Sequence, residues 1–299
     1  MPLVVRPASA DDLERAQELV VRSINDLTTR HGFGSIATSR PADFQAFCLR
    51  DDPRGAWLVE DDGEIVGFAL SWVSGRLWFL AELFVAPGRQ GLGIGNELLA
   101  RAMQHASQAG ATEKCLITFA FNVVSQALYV RHGLLPRVPI HLCRAERASL
   151  ASRGHGPRLR ATPVTTAAAD LGMLRRIDLA TLGIARDKHH RYLLDAPGMH
   201  AVFLHDGSER IGYAYLAATG HIGPVAVMHA HAIPEAFQTS LAMAAAGATE
   251  QISVFIPGTC EALSIAANLG MRFTLPMVLM ATRAYGDWKR YLPRNPGFM

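Results

Sequence analysis

The sequence lacks several things, and each shortage removes a class of function. Its four cysteines, Cys48, Cys115, Cys143 and Cys260, have no Cys-x-x-Cys spacing and sit in or beside apolar stretches, the pattern of small buried thiols in a reducing compartment. The expected location is the cytoplasm. No uninterrupted apolar run approaches the roughly 18 residues of a membrane span, and Met1–Arg6 shows no charged leader before an apolar segment, so neither export nor membrane insertion is expected.

Charge of one sign is also missing. Lysine and arginine total 29 against 26 acidic residues, a formal +3. Residues 1–150 carry 15 basic against 16 acidic groups and the remainder 14 against 10, which excludes a basic nucleic-acid surface in either half. Only Lys114, Lys188 and Lys289 are lysines. Histidines are numerous but lack completing ligands. His229-Ala230-His231, read as a strand, and His189-His190 have no carboxylate or thiol pattern beside them, so no metal is expected. His105 and His132 fall on expected helices, as surface or cap residues.

What is present is a well-filled globular chain. Apolar residues make up 49% and charged residues 18% of 299 positions, enough for two domains of about 150 residues each. A strand at Leu3–Arg6 leads through Ser9–Asp12, a helix cap, into Leu13, Ala16, Leu19 and Val20 at helical spacing. The polar stretch from Thr28 to Pro41 is expected to be a mobile acceptor-side loop, before a second helix at 42–49. Trp57–Glu60 and Ile65–Leu70 flank Asp61-Asp62-Gly63, a hairpin signal. A strand over Leu77–Val85, a glycine-rich turn and a helix through Leu98, Leu99, Ala102, Met103 and Ala106 come next. Then come a strand over 115–121 and a helix over 124–132 that Gly133 closes. The order is mixed α/β, antiparallel first and parallel later.

The chain also echoes itself. Ala56–Ala69 resembles Ala201–Ala214, placing Gly67 and Gly212 145 apart, and Leu128–Leu134 resembles Ile265–Met271 at an offset of 137. The second copy has lost about eight residues in between, where a glycine loop is expected. The small, aperiodic stretch before Arg158 is the linker. The expected organisation is a first domain over 1–146, a linker over 147–157 and a second domain over 158–299.

The segment Gln90-Gly91-Leu92-Gly93-Ile94-Gly95 carries the chemistry. A strand turning directly into a helix offers free N–H groups and a positive dipole end to an anion, and glycines let the backbone close on it. A dinucleotide fingerprint would need glycine where Asn96 stands, and a P-loop needs a Gly-Lys-Ser/Thr that is absent. The segment instead resembles the Gln/Arg-x-x-Gly-x-Gly/Ala loop of the GNAT superfamily of N-acetyltransferases. Asn122, Ala127, Leu128, Tyr129 and Gly133-Leu134 resemble its second signature, with Leu134 in place of the usual aromatic.

The resemblance covers nearly all of residues 3–145, and it implies a fold, a cofactor, a set of site residues and an activity. The implied fold is two tandem GNAT-like domains, each a mixed antiparallel and parallel sheet flanked by helices. Acetyl-CoA is the implied cofactor. Gln90, Gly91, Leu92, Gly93, Ile94, Gly95 and Asn96 would hold its pyrophosphate, the backbone of Leu83, Phe84 and Val85 would pair with the pantetheine, and Asn122 and Ser125 would touch the same arm. Glu82 interrupts an apolar strand and is the expected base, since an unperturbed alkyl amine has a pKa of roughly 10 and must lose a proton to attack. Tyr129 is the expected acid for the departing thiolate. The implied activity is transfer of an acetyl group to a primary amine of a small or amino-acid-like acceptor, by direct attack in a ternary complex.

The second half resembles the C-terminal domain of bacterial tandem GNAT proteins. His229–Pro234 stands where the loop should be, Gly223-Pro224 near the Glu82 position and Ala266 in place of Tyr129, so this half is expected to be a degenerate copy that is structural or forms part of the acceptor pocket. A non-catalytic coenzyme A sensor and a tandem interaction scaffold are the alternatives. The expected partners are a small-molecule amine and, at most, a second copy of the chain, which would be a monomer or homodimer.

Overall fold

The computed structural model describes residues 3–151 and 158–299 and divides them into two compact units, Met1–Leu135 with Met280–Arg283, and Pro136–Leu279 with Ala284–Met299. The first unit contains β1 (Val4–Pro7), α1 (Leu13–Arg30), α2 (Asp43–Asp51), β2 (Ala56–Asp61), β3 (Glu64–Ser74), β4 (Leu77–Val85), α3 (Ile94–Gln108), β5 (Glu113–Phe119) and α4 (Val123–Arg131). Strands β1 to β4 pair antiparallel in chain order and β5 joins β4 in parallel. The β2–β3 hairpin turns on Asp62 and Gly63 at φ +49° and +79°, the two left-handed residues that a tight hairpin matching the strand twist requires.

Helix α1 runs past Thr28 to Arg30, and the expected loop begins only after it. That loop is anchored at several points. The Asn25 side-chain oxygen accepts from the N–H groups of Ile36 and Ala37 at 2.9 and 2.8 Å, and its nitrogen donates to the Ala37 carbonyl at 2.9 Å. Phe33 stacks on Phe121 at 4.6 Å.

The second unit contains β6 (Leu135–Glu146), α5 (Arg147–Ala151), β7 (Arg160–Pro163), α6 (Ala168–Leu182), α7 (Asp187–Asp195), β8 (Met199–Asp206), β9 (Glu209–Ala217), β10 (His221–Val227), α8 (Ile233–Ala245), β11 (Gln251–Pro257), α9 (Ala262–Asn268), β12 (Arg272–Ala281) and β13 (Tyr291–Leu292). Strand β6 pairs antiparallel with β11 from Ile140↔Pro257 to Glu146↔Gln251. The expected boundary at 146 therefore shifts to 135, because hydrogen bonding and burial place β6 with the second core. The last two residues of β12, Met280 and Ala281, belong with Thr282 and Arg283 to the first unit, where Thr282 donates its N–H to the Lys114 carbonyl at 3.0 Å. Of the expected linker, Arg147–Ala151 is helical and the rest lies outside the described residues. His229 and His231 are not on a strand. Ala230–Ala232 forms a single 3₁₀ turn with the two imidazoles stacked at 5.5 Å.

The mixed sheet flanked by helices occurs twice, and the register demonstrates the repeat. Ala56↔Leu70 and Val59↔Gly67 in the first unit match Ala201↔Tyr215 and Leu204↔Gly212 in the second, each followed by a bulge at the same place. Gly67↔Val85 matches Gly212↔Val227. The offset is 145 in the hairpins, 142 at Val85 and Val227, 139 at the starts of α3 and α8, and 137 at Gly133 and Gly270. The second copy thus loses residues in three places, and only three of them at the turn before the helix.

Candidate active site

Strand alternation sorts the residues of β4 onto two faces. A Cβ on Gly67 would meet Ile94 Cγ2 at 2.7 Å and Leu98 Cδ1 at 2.9 Å, so that side of β3 lies against α3. Val85, paired with Gly67, shares it: a Cβ on Gly95 would touch Val85 Cγ2 and Leu128 Cδ2 at 3.6 Å each. The strand end, the helix start and α4 therefore converge at Gly95. By alternation Leu83 joins Val85, while Glu82 and Phe84 face α1 and α2.

The glycine turn has a shape that could cradle an anion. Gly93 is the N-cap of α3 in the left-handed region, φ +84°, and Gly91 sits at φ +83°. No atom lies within 4 Å of a Cβ built on either, which leaves the first N–H groups of α3 open to a ligand. Gln90 donates its side-chain N–H to the Val85 carbonyl at 3.3 Å, and Leu92 is exposed. The Asn96 side-chain oxygen accepts from His132 Nε2 at 3.0 Å, which ties the start of α3 to the end of α4.

Beside the cradle the sheet opens. Strands β4 and β5 pair from Leu77↔Glu113 to Leu80↔Leu116 and no further, leaving Ala81–Val85 half-buried with backbone groups toward the gap. An extended chain with amide groups is the ligand such a gap accommodates. Together with the anion cradle, the donor set fits the pantetheine and pyrophosphate of acetyl-CoA.

Asn122 and Ser125 serve the helix itself. Asn122 caps α4, its side-chain oxygen accepting from the Ser125 N–H at 3.2 Å, while the Ser125 hydroxyl donates to the Asn122 carbonyl at 3.1 Å. Tyr129, one turn beyond Ser125 on the same face, is only 5% exposed, and burial raises its phenol well above the usual value. Burial thus holds the phenol in its neutral form.

Glu82 is the ionisable group on the other face of the gap. Oε1 accepts from Gln45 Nε2 at 2.9 Å, and Oε2 is inaccessible with no hydrogen-bond partner. Burial pushes its pKa up to about 7, against the opposing effect of the Gln45 hydrogen bond. A carboxyl group that changes charge near neutrality suits proton transfer. Sequence reasoning missed Gln45 and Gln17, the latter accepting from the same Gln45 nitrogen at 2.6 Å, because two glutamines 28 residues apart carry no motif. His105, expected as a surface or cap residue, is instead 2% exposed, between Asp52 at 2.7 Å and the Ser71 hydroxyl at 3.2 Å. It pins α3 to β3 and the turn before β2.

The corresponding places in the second unit are filled. Register places Val225 and Ala226 at the positions of Leu83 and Phe84, and both pair with β13, as Val225↔Leu292 and Ala226↔Tyr291. Pro224 falls at the Glu82 position. The helix-end bond from the Leu134 N–H to the Tyr129 carbonyl recurs from Met271 to Ala266, so alanine stands for the tyrosine. A buried network ties Tyr291 of β13 to Asp178 of α6 through Arg186. Arg186 donates to both carboxylate oxygens of Asp178, to the Tyr213 and Tyr291 hydroxyls and to the Met299 carbonyl, while His190 bonds Asp178 and Tyr215.

A model of the Acetyltransferase (GNAT) family matches residues 21–134, the stretch that holds the glycine cradle, Glu82 and Tyr129. The chain is 37% identical over 84 residues to a mycothiol acetyltransferase of Streptomyces bingchenggensis, a match that spans only 27% of either chain. Over the full fold it resembles a GCN5-related N-acetyltransferase from Sphaerobacter thermophilus, with a TM-score of 0.63, 17% identity and coverage of 95% and 97% of the two chains. It also resembles a tandem GNAT protein of the clavulanic acid biosynthesis pathway, with a TM-score of 0.60, 17% identity and coverage of 95% and 98%. An uncharacterized N-acetyltransferase of Archaeoglobus fulgidus is 31% identical over 112 residues, which are 34% of this chain and 72% of that one, and on this similarity the chain belongs to the GNAT family of acetyltransferases.

Proposed function

We propose that the protein is an acetyl-CoA-dependent N-acetyltransferase that acetylates a primary amine of a small or amino-acid-like acceptor in a ternary complex. The observation that carries this reading is the combination of an open glycine cradle and a parted strand pair with Glu82 on the opposite face of the same gap. Bound acetyl-CoA would supply a thioester carbon open to attack. Gly91, Gly93 and the first N–H groups of α3 would hold its pyrophosphate, and the backbone of Leu83–Val85 would pair with its arm. Glu82 would take one proton from the acceptor ammonium, Tyr129 would give its phenolic proton to the leaving sulfur, and the second proton lost by the acylated nitrogen would restore the Tyr129 phenol.

The second unit, on this reading, binds no cofactor. Tyr291 and Leu292 take the strand edge that the pantetheine would need, and the turn before α8 has no glycine. Its role is to support the fold or the acceptor side. Purified full-length protein with acetyl-CoA and a panel of amines, read by release of free thiol, tests the activity. Calorimetric titration with coenzyme A tests the site count. One site per chain and thiol release with at least one amine are expected, and two equivalent sites or binding without any transfer would refute the reading.

A further inference from the structure

We infer that Gln45, braced by Gln17, is a positioning residue that holds Glu82 by one oxygen and leaves the other, Oε2, as the atom that meets the acceptor amine. This rests on the proposed transferase reading. Gln45 is 6% exposed on α2 and spends both hydrogens of its amide nitrogen, one on Glu82 Oε1 at 2.9 Å and one on Gln17 Oε1 at 2.6 Å. Two acceptors on one NH₂ fix its rotation, because the reverse orientation would set oxygen against the carboxylate. Glu82 Oε1 is thereby occupied, whereas Oε2 is buried with no partner.

A buried carboxylate oxygen without a donor is costly unless a ligand completes it. An ammonium N–H of the acceptor supplies that donor. The N–H bond breaks toward Oε2, the nitrogen keeps the electron pair for attack on the acetyl carbon, and Glu82 becomes the neutral acid with its proton on Oε2. Gln45 continues to donate to Oε1 throughout. Burial raises the Glu82 pKa and the Gln45 hydrogen bond opposes it. The neighbours that register and hydrogen bonding place on this face, Leu70, Phe68, Phe84 and Gln17, are uncharged.

The test needs no acceptor. Full-length protein labelled with ¹³C at the glutamate side-chain carboxyl is titrated by NMR, with the Glu82 signal assigned by its loss in Glu82→Gln. The wild-type midpoint is expected near 7, and Gln45→Leu should raise it by about one unit, the shift due to one lost hydrogen bond to the charged form. Should Gln45→Leu fail to fold, Gln45→Met, unbranched and of similar length, replaces it. A wild-type midpoint near the ordinary glutamate value, or a midpoint the Gln45 variants leave unmoved, would overturn the inference. A Gln45-dependent midpoint in a protein that releases thiol with no amine would leave the positioning standing and refute the transferase reading alone.

Discussion

Replacing Gly93 separates backbone strain from charge at the cradle. Its Cβ would meet nothing within 4 Å, so no clash enters and the whole stability cost comes from φ +84°. For an ordinary side chain that is about 1–2 kcal/mol, and less for asparagine, which tolerates the left-handed region. Gly93→Asn should therefore lower the melting temperature by only a few degrees in a chain of this size and weaken coenzyme A by crowding the loop. Gly93→Asp has nearly the same shape but brings a negative charge to within about 4 Å of the pyrophosphate. At an effective dielectric constant of 20 this costs about 4 kcal/mol, or close to a thousandfold in affinity. Calorimetry on both variants, with melting curves as the control for folding, measures the difference. If Gly93→Asp binds coenzyme A within tenfold of Gly93→Asn, the turn does not hold the phosphates and the cofactor assignment fails.

The site and its surroundings set three further outcomes. Because burial raises the Glu82 pKa from about 4.5 to about 7, ionising it opposes folding, and the stability present below pH 4.5 is lost as pH rises toward 7. Glu82→Gln should melt higher than wild type at pH 8 with the gap shrinking by pH 4.5, and parallel melting curves across that range would contradict the burial argument. Tyr129→Phe keeps the ring and removes the phenolic proton, so kcat should fall about 10²-fold with coenzyme A affinity and melting temperature nearly unchanged; wild-type turnover would deny the hydroxyl a catalytic role. In the second unit, burial disfavours the Asp178 charge but Arg186 and His190 outweigh it and hold the carboxyl well below its usual range. Asp178→Asn should cost about 3–5 kcal/mol in denaturant unfolding by stranding the Arg186 charge, and a loss under about 1 kcal/mol would show the network to be dispensable.

The sequence by itself determined the local pieces. An Asp-Gly turn between apolar runs, a glycine loop between a strand and an amphipathic helix, and the echo of Ala56–Ala69 in Ala201–Ala214 depend on neighbours a few residues apart, where backbone sterics and periodicity decide the outcome. Tertiary structure alone decided the contacts between distant segments. Nothing in the residues of β6 announces that its partner is β11, since an alternating strand pairs with whichever exposed edge completes a core. Nothing in Tyr291-Leu292 marks it to fill the edge of β10, because that edge exists only once β10 and β11 have parted. Gln45 and Gln17 acquire meaning only where two helices bring their amides to a carboxyl group that burial has moved toward neutrality, and burial is a property of the assembled core rather than of any segment within it.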